Sequence, residues 1–294
     1  YRSGCKLMNH RAELAIHKLL EDVLSSNRQM SMETIEGVAS DVRDALVRQF
    51  GTKNDRGDFR LRMSNIGKPS CQLWFAKNHP EKALPKGNSF LMTMMIGDIV
   101  EAVFKGILKE AKIDYQESEE VALELSDGTK VKGTYDLILD DCVDDIKSAS
   151  DWSYKNKFES FETLSDGDSF GYVGQLVAYA KASGKNIGGW WVVNKSTGQF
   201  KYVSAQNADT TKVLGDIENT IKQANQKDLV RCFKPEVETF RSVPTGNMVL
   251  NKNCNFCDFR YTCWDTLVEL PAQASQAKQP KMVQYISLKD SAVA

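Results

Sequence analysis

The 294-residue chain lacks a long hydrophobic run: no window approaches about eighteen consecutive apolar residues. Its first residues, YRSGCKLMNHRAEL, have neither the apolar stretch nor the cleavage site of a secretory signal. We therefore expect a cytoplasmic protein with no membrane partner. The chain also lacks a strong charge of either sign, since its formal net charge is -1. This balance excludes a surface that attracts nucleic acid everywhere, but it leaves room for a local basic groove.

Two further absences concern motifs. No Gly-x-x-x-x-Gly-Lys-Ser/Thr phosphate-binding loop occurs. We therefore expect a chain that works alone or relies on a separate helicase motor. The seven cysteines are odd in number and follow no secretory signal. They indicate reduced thiols or metal ligands rather than a disulfide framework.

Hydrophobic periodicity predicts the secondary structure. Spacing typical of helices covers residues 10–26, 32–51, 89–111, 169–184 and 208–226. Alternating and β-branched residues predict a hairpin over 121–141, a strand over 143–150 and a second hairpin over 187–205. Residues 151–168 are expected to form a polar loop. The order of these predicted helices and strands indicates an α/β fold with a mixed central sheet flanked by helices.

The segment GTYDLILDDCVDDIKSAS, residues 133–150, carries one acid in a β-like run, Asp136, and a second acid two residues before a lysine, in Asp145-Ile146-Lys147. Asp136 and Asp145 offer hard oxygen ligands from adjacent strands, of the kind that Mg²⁺ or Mn²⁺ takes. Ile146 can add its backbone carbonyl while its side chain points to the other face of the strand. Lys147 shares a face with Asp145 and can orient an attacking water. Alone, the pattern also fits exposed charges on a hairpin.

The surroundings of this segment resemble the PD-(D/E)xK nuclease superfamily, in which a helix bearing an acid precedes strands bearing Asp and (Asp/Glu)-x-Lys. Here Glu101 ends the helical stretch GDIVE. The next helix carries Gln175 and Tyr179 in QLVAY, which is similar to the RecB-like branch and gives both residues one helix face beside the acids. The alternative for Glu101 is an exposed acid on a helix. The alternative for Gln175 and Tyr179 is a helix with one polar contact and a half-buried tyrosine. Val100 stands where many members carry a histidine, so the implied metal shell is all oxygen.

Three cysteines lie close together in NCNFCDFRYTCW: Cys254, Cys257 and Cys263. A four-coordinate metal site needs a fourth ligand, for which Cys71 in GKPSCQLW is the best candidate. One cysteine before the core and three after it resemble the iron–sulfur RecB-like nucleases, including the CRISPR-associated ones, and this implies a [4Fe-4S] cluster. Structural Zn²⁺ on the same thiolates, or unliganded packing, are the alternatives. Buried or free thiols are expected at the cysteines that fit no spacing, Cys5, Cys142 and Cys232.

Aromatic and basic side chains alternate in DWSYKNKF, just after the strand that carries Lys147. Lys155 and Lys157 can grip a phosphate backbone, and Tyr154 can stack on a base. The alternative is a mixed loop whose aromatic residues pack into the core.

These patterns and the resemblance together predict a divalent-metal-dependent deoxyribonuclease. We expect an exonuclease of DNA recombination, repair or degradation in a prokaryotic or viral setting, acting on single-stranded or duplex ends. It would work alone or beside a separate helicase or recombination protein. The alternative is a non-catalytic DNA-binding or assembly subunit with a structural metal cluster.

We expect one compact domain with four segments. Residues 1–85 form an N-terminal helical segment with one cluster cysteine, and 86–205 form a restriction-endonuclease-like nuclease core. Residues 206–270 supply a C-terminal helix and the cysteine triplet packed on that core. Residues 271–294 form a tail that can add an edge strand.

Overall fold

The computed structural model describes residues 10–51 and 59–289. The α-helices of these residues are α1 Arg11–Leu24, α2 Met32–Leu46, α3 Ser70–Asn78, α4 Asn88–Glu110, α5 Phe161–Ser165, α6 Tyr172–Ser183, α7 Thr210–Ala224 and α8 Arg260–Cys263. The strands are β1 Tyr115–Gln116, β2 Glu120–Glu124, β3 Lys130–Thr134, β4 Leu137–Leu139, β5 Cys142–Ala149, β6 Asn186–Asn194, β7 Phe200–Ser204, β8 Glu236–Phe240, β9 Val243–Val249, β10 Val268–Pro271 and β11 Met282–Ser287. Within the described ranges, no helix combines the length and the apolar character needed to cross a bilayer.

The described residues divide into two compact units. The first contains residues 10–51, 61–67 and 86–218, and the second contains 59–60, 68–85 and 219–289. Residues 68–85 therefore share a unit with the C-terminal part of the chain. This grouping differs from the predicted segments, whose boundaries fall at residues 85, 205 and 270.

The first unit is built on a five-stranded mixed sheet of order β1-β4-β5-β6-β7. Strands β5 and β6 run parallel, and the other neighbours are antiparallel. A parallel pair needs a crossover connection, and the chain between β5 and β6 supplies it with α5 and α6. The predicted α/β class, a mixed sheet flanked by helices, is confirmed, and β5 is its central strand.

One face of this sheet packs against α1 and α4. Ile16 of α1 and Phe104 of α4 belong to a buried apolar cluster that also contains Ile146 of β5. Burying a large apolar side chain contributes about 1.5–3 kcal/mol, so the cluster holds both helices on the sheet. Because side chains alternate along a strand, the burial of Ile146 on this face directs Asp145 and Lys147 to the other face.

Helix α6 begins at a close contact between two glycines. Gly171 has a φ of 77°, and a Cβ on Gly171 or Gly67 would lie within 2.5 Å of the partner's backbone. The carboxylate of Asp168 accepts hydrogen bonds from two backbone N–H groups at this end, at 3.0 and 2.8 Å. This cap stabilises the first turn of the helix, which determines where Gln175 and Tyr179 lie.

Two segments of the first unit differ from the expected pattern. The predicted hairpin over 121–141 is split: β2 and β3 form a separate two-stranded sheet, and a bend at Tyr135 and Asp136 leads into β4 of the main sheet. Residues 151–168, expected to be a loop, form the π-helical turn Ser153–Lys157 and α5. A capping box between Ser160 and Thr163 explains why α5 begins there.

The second unit contains a four-stranded antiparallel sheet of order β10-β11-β9-β8. Strand β11 is an interior strand that fully buries Tyr285, whereas the sequence predicted a tail with at most an edge strand. Outside the sheet, Phe75 of α3 stacks on Phe259 with 5.3 Å between ring centroids. Cys257 is buried in the same apolar cluster.

Candidate active site

Four charged side chains singled out from the sequence lie together at the β5 strand of the first unit. Asp145 and Lys147 project from β5, Asp136 lies in the bend before β4, and Glu101 comes from α4. The carboxylates of Asp136 and Asp145 are close enough for each to act on the pKa of the other. The charges of Asp136 and Lys147 both act on Glu101. Three acids and a lysine therefore share one site.

Asp136 is held by the backbone of the central strand. The amide nitrogen of Ile146 donates to Oδ2 of Asp136 at 2.8 Å. Strand β4 begins opposite Asp144, so Ile146 lies beyond the last residue pair of β4 and β5. In a strand, the N–H and C=O of one residue point to the same edge, so the Ile146 carbonyl points to the edge where Asp136 lies.

Asp145 is a buried carboxylate that is paired with a lysine. Its side chain is 3% exposed, and Lys147 Nζ lies 2.5 Å from its Oδ2 atom. The ammonium of Lys147 therefore supplies the positive charge that a buried carboxylate needs. Carboxylate oxygens are the ligands that a divalent ion such as Mg²⁺ takes, so the chemistry of the donor set fits such an ion. In the part of the chain that the structure describes, however, these acids are not arranged as a formed metal site.

Burial, with the crowding of like charges, shifts the pKa values of the acids at the site. Burial, followed by the charge of Asp145, raises the pKa of Asp136 to about 6. Burial also raises the pKa of Asp145 and of Glu101, and the charge of Asp136 adds to the effect on Glu101. For Lys147, burial lowers the pKa, but the charges of Asp145 and Asp136 outweigh it and the pKa is raised. Carboxylates forced together in this way are stabilised by an added positive charge.

Lys105 is a charged member of the site that the sequence reasoning missed. Its Nζ donates to Oε1 of Glu101 at 2.6 Å and to Oγ of Ser118 at 2.7 Å. Ser118 in turn donates to the backbone carbonyl of Asp136 at 3.1 Å. Lys105 follows Glu101 by four residues, a spacing that pairs opposite charges on a helix and could have revealed it.

Asp144, beside Asp145 on β5, has a structural role that the sequence did not distinguish. It is buried and accepts hydrogen bonds from Tyr202 Oη at 2.8 Å, Trp191 Nε1 at 3.1 Å and the Gly189 amide at 2.8 Å. Burial raises its pKa to about 7 despite these donors. Because neighbouring side chains on a strand point to opposite faces, Asp144 and Asp145 serve different environments.

Gln175 and Tyr179 lie beside the acids on one face of α6. Gln175 Nε2 donates to Tyr179 Oη at 3.4 Å. Burial raises the pKa of Tyr179, and the charges of Asp145 and Asp136 act on the same hydroxyl. The ring of Tyr179 is buried, while Gln175 is partly exposed.

Val100, at the position where the resemblance would put a histidine, packs against the apolar cluster of the first unit. It therefore contributes packing to α4. The charged side chains that meet at the site are carboxylates and lysines, and the carboxylate oxygens are the ligands that Mg²⁺ and Mn²⁺ prefer.

The three residues predicted to contact DNA have different environments. Tyr154 is 4% exposed, so its ring packs in the core and cannot stack on a base; this burial contradicts the predicted role. Lys155 is exposed and pairs with Asp151 at 2.8 Å. Lys157 lies 4.5 Å from the ring centroid of Phe170. The sequence pattern could not separate the buried ring from the exposed charge, because both fall in one helical turn.

The four cysteines of the predicted cluster all belong to the second unit, and Cys232 joins them. Burial raises the pKa of Cys254 to about 12 and of Cys257 to about 11, and the neighbouring thiols add to both shifts. Cys232 Sγ accepts from the amide nitrogen of Cys71 at 3.2 Å, and the two thiols interact. The sequence assigned no role to Cys232, because its position is remote from the triplet.

The described positions of these thiols are not those of a formed metal site. Among residues 10–51 and 59–289, no three His, Cys, Asp or Glu side chains have the arrangement of a formed metal site. The predicted cluster therefore stays a prediction that rests on the chemistry of the thiols and on their shared unit.

Comparison with known proteins leaves the family open. No family model matches the chain, and no curated protein matches it. A solved structure described as "Crystal structure of SSO0001" aligns with 80% of this chain and 98% of its own length. The identity is 14% and the TM-score is 0.42.

Proposed function

We propose that this chain is a divalent-metal-dependent deoxyribonuclease with a restriction-endonuclease-like core, similar to the RecB-like iron–sulfur exonucleases of the PD-(D/E)xK superfamily. The observation that carries the proposal is the meeting of the Asp136 and Asp145 carboxylates beside Lys147, with Asp145 buried and Lys147 Nζ 2.5 Å from its Oδ2 atom. A solvated hairpin edge has no reason to bury such a group, because desolvating a carboxylate is costly.

Three side chains and one carbonyl would hold Mg²⁺ or Mn²⁺: Glu101, Asp136, Asp145 and the backbone of Ile146. When bound, the metal ion supplies positive charge for the phosphate and lowers the pKa of a bound water. The chain's own contribution is to gather these oxygens on rigid elements. Glu101 comes from a helix, and the amide of Ile146 fixes Asp136.

Lys147 acts in this proposal as a cation. Its pKa is raised by Asp145 and Asp136, so its ammonium keeps its proton at neutral pH. A protonated lysine cannot take a proton from water, but it can attract the phosphate and orient the water by hydrogen bonding. Gln175 and Tyr179 would position the strand from α6, where they lie beside the acids.

The proposal includes a second, structural metal centre at the cysteines. Thiolates of Cys71, Cys254, Cys257 and Cys263 would hold a [4Fe-4S] cluster, with structural Zn²⁺ as the alternative, since thiolates bind either. Cytoplasmic conditions suit this proposal, because they keep thiols reduced. DNA ends would be the substrate, in recombination, repair or degradation, with a separate helicase or recombination protein as a possible partner.

A cleavage assay tests the proposal. Anaerobically purified protein is incubated with end-labelled single- and double-stranded DNA, with Mg²⁺, with Mn²⁺ or with EDTA. Cleavage should require the metal ion and should fall at least ~100-fold in Asp145→Asn and Lys147→Met. Asp140→Asn is the matched control: Asp140 is exposed and pairs with Arg11 on the surface, and its φ of 51° suits asparagine.

Two results would count against the enzyme. Cleavage that survives equally in both variants would assign the activity to a contaminant. DNA binding without metal-dependent cleavage in the parent chain would favour a non-catalytic DNA-binding or assembly subunit.

A further inference from the structure

Tyr172, the first residue of α6, places its ring beside the lysine of the candidate active site. Lys147 Nζ lies 5.3 Å from the ring centroid of Tyr172. Burial raises the pKa of the Tyr172 hydroxyl, and the charges of Lys147 and Asp145 both act on it. The sequence singled out only Gln175 and Tyr179 on this helix. Helical spacing puts Tyr172 on the same face as these two residues, so it borders the same site.

The surroundings of Tyr172 fix its ring in place. Phe158, which is 3% exposed, stacks on it with 5.8 Å between ring centroids. The backbone N–H groups of the residues on either side of Tyr172 donate to Asp168 at 3.0 and 2.8 Å. A second ammonium, that of Lys157, lies 4.6 Å from the same centroid but pairs with Asp168 at 4.0 Å. Lys157 is therefore part of this support, and Lys147 is the lysine that the ring shares with the acids.

Lys147 depends on its partners for its position. A lysine side chain is flexible and loses rotamer freedom when its ammonium is fixed, and its Nζ is paired with Oδ2 of Asp145 at 2.5 Å. In the proposed function the oxygens of Asp145 also serve a divalent ion, so we expect this pairing to weaken when the ion is bound. An aromatic ring attracts an ammonium without taking up a carboxylate oxygen, and the attraction is stronger where water is excluded.

We propose that Tyr172 is a positioning residue for Lys147, whose ammonium its ring keeps beside the acids while their oxygens bind a metal ion. This inference rests on the proposed function. Lys147 would then keep a fixed direction toward the phosphate and the attacking water. A fixed direction matters most in the transition state, where charge develops, so loss of the ring should lower kcat rather than raise KM.

Cleavage kinetics with saturating Mg²⁺ compare two variants of Tyr172. Tyr172→Phe keeps the ring and removes only the hydroxyl, so its kcat should stay close to that of the parent chain. Tyr172→Leu removes the ring, so its kcat should fall about 10-fold, as expected for a desolvated cation–π contact, with little change in KM for DNA. An equal loss in both variants would assign the effect to the hydroxyl and overturn the role of the ring.

A double-mutant cycle separates the positioning of Lys147 from a general support of α6. In a Lys147→Met background, Tyr172→Leu should have little further effect on kcat, because the ammonium that the ring positions is gone. A tyrosine that only packs α6 against the sheet would lower kcat to the same extent in both backgrounds. That outcome would overturn the inference.

Nuclear magnetic resonance of the metal-free protein tests the contact without any cleavage. In protein with isotope-labelled lysines, kept in EDTA, the Lys147 side-chain signals are identified by their absence in Lys147→Met. The ring current of Tyr172 should displace these signals in the parent chain and in Tyr172→Phe, and the displacement should be lost in Tyr172→Leu.

The two kinds of measurement separate this inference from the nuclease proposal. Lys147 signals that Tyr172→Leu leaves unchanged, in a protein that cleaves DNA, would overturn the positioning role alone. Ring-displaced signals in a protein that cleaves no DNA would count against the nuclease and still support Tyr172 as the residue that holds Lys147.

Discussion

The ammonium of Lys105 lies 2.6 Å from Oε1 of Glu101, one helical turn away on α4. Lys105 and Lys147 together offset two of the three carboxylate charges at the candidate site. Both lysines pair with acids that would also attract a divalent ion. The protein therefore balances the charge of these carboxylates with its own cations, which has a measurable consequence for metal affinity.

We expect Lys105→Met to bind Mn²⁺ more tightly than the parent chain, on the order of 5-fold, because a nearby positive charge that repels the metal ion is removed. A Mn²⁺ titration followed by electron paramagnetic resonance measures this directly. Lys109→Met is the control, since Lys109 lies four residues further along α4 and pairs with the exposed Glu33 at 2.9 Å. Weaker Mn²⁺ binding by Lys105→Met would instead mean that Lys105 is needed to orient Glu101.

Gly133 makes room for the ring of Tyr179. A Cβ on Gly133 would lie 2.9 Å from Cε1 of Tyr179 and 2.7 Å from Cβ of Met63. Gly133→Ala should push the ring away from the acids, lower the cleavage rate about 10-fold and cost about 1–3 kcal/mol of stability through overpacking. Cleavage rates and urea unfolding measure the two effects. Gly37→Ala, in open space on α2, should leave both unchanged or slightly raise stability; a neutral Gly133→Ala would contradict the close packing.

The sequence predicted the local part of the site and missed what depends on long-range packing. Asp145 and Lys147 were predicted to share a face because the side chains of a strand repeat every two residues, and Asp136 was predicted from the motif that precedes them. Position 136 lies in a bend because β3 and β4 belong to different sheets, which alternation alone does not reveal.

Contacts between distant residues account for the rest. Phe158 stacks on Tyr172 of α6 across the α5 segment, and Cys232 meets Cys71 across 161 residues. The sequence predicts a tail around Tyr285 that can add an edge strand, whereas the burial of this ring in the four-stranded sheet depends on pairing with β9 and β10. Hydrophobic period predicts elements well, but partners are chosen by tertiary packing.

Glu110, at the end of α4, gives the fold a pH-dependent contact. Its Oε2 accepts from the Ser31 hydroxyl at 2.8 Å and the Thr34 hydroxyl at 2.9 Å, and its Oε1 accepts from Arg28 at 2.8 Å. The hydrogen bonds from Ser31 lead the causes that lower the pKa of Glu110 to about 2, although burial opposes them. Glu110 therefore stabilises the folded chain fully above its unfolded pKa of about 4.5, and this stability is lost as pH falls toward about 2.

Glu110→Gln should lower the free energy of unfolding by about 2 kcal/mol at pH 7, the cost of hydrogen bonds to a charged group, and by less at pH 3.5. Urea denaturation at pH 7, 5 and 3.5 follows the difference. Glu33→Gln, which removes an exposed partner of Lys109, should change stability little at any of these pH values. A difference that does not shrink below pH 4.5 would rule out the ionised Glu110 contact as its source.

Cys232 lies close enough to Cys71 for either thiolate to serve as the fourth ligand of the proposed cluster. Cys71→Ser and Cys232→Ser should each keep most of the bound metal, whereas the double variant should lose it. Iron, zinc and acid-labile sulfide contents after anaerobic purification measure this, and visible absorption distinguishes an iron–sulfur cluster from zinc. Cys142→Ser, in β5 of the first unit, is the control. Complete metal loss in Cys71→Ser alone would show that Cys232 takes no part.

Repulsion between the neighbouring carboxylates of Asp136 and Asp145 should make the metal-free parent chain less stable than the Asp145→Asn variant. A carboxyl whose pKa is raised by folding favours the fold only while protonated, so stability falls as pH rises from about 4 through about 6, the folded pKa of Asp136. At pH 7 in EDTA, Asp145→Asn should therefore melt higher by about 2–4 °C, as removing ~1 kcal/mol of repulsion gives in a chain of this size. Lys147 keeps Asp136 as a partner in this variant.

Added Mn²⁺ should raise the melting temperature of the parent and of Asp140→Asn, but not of Asp145→Asn, because only a chain that binds the ion is stabilised by it. Equal Mn²⁺ responses in all three proteins would mean that the ion binds elsewhere.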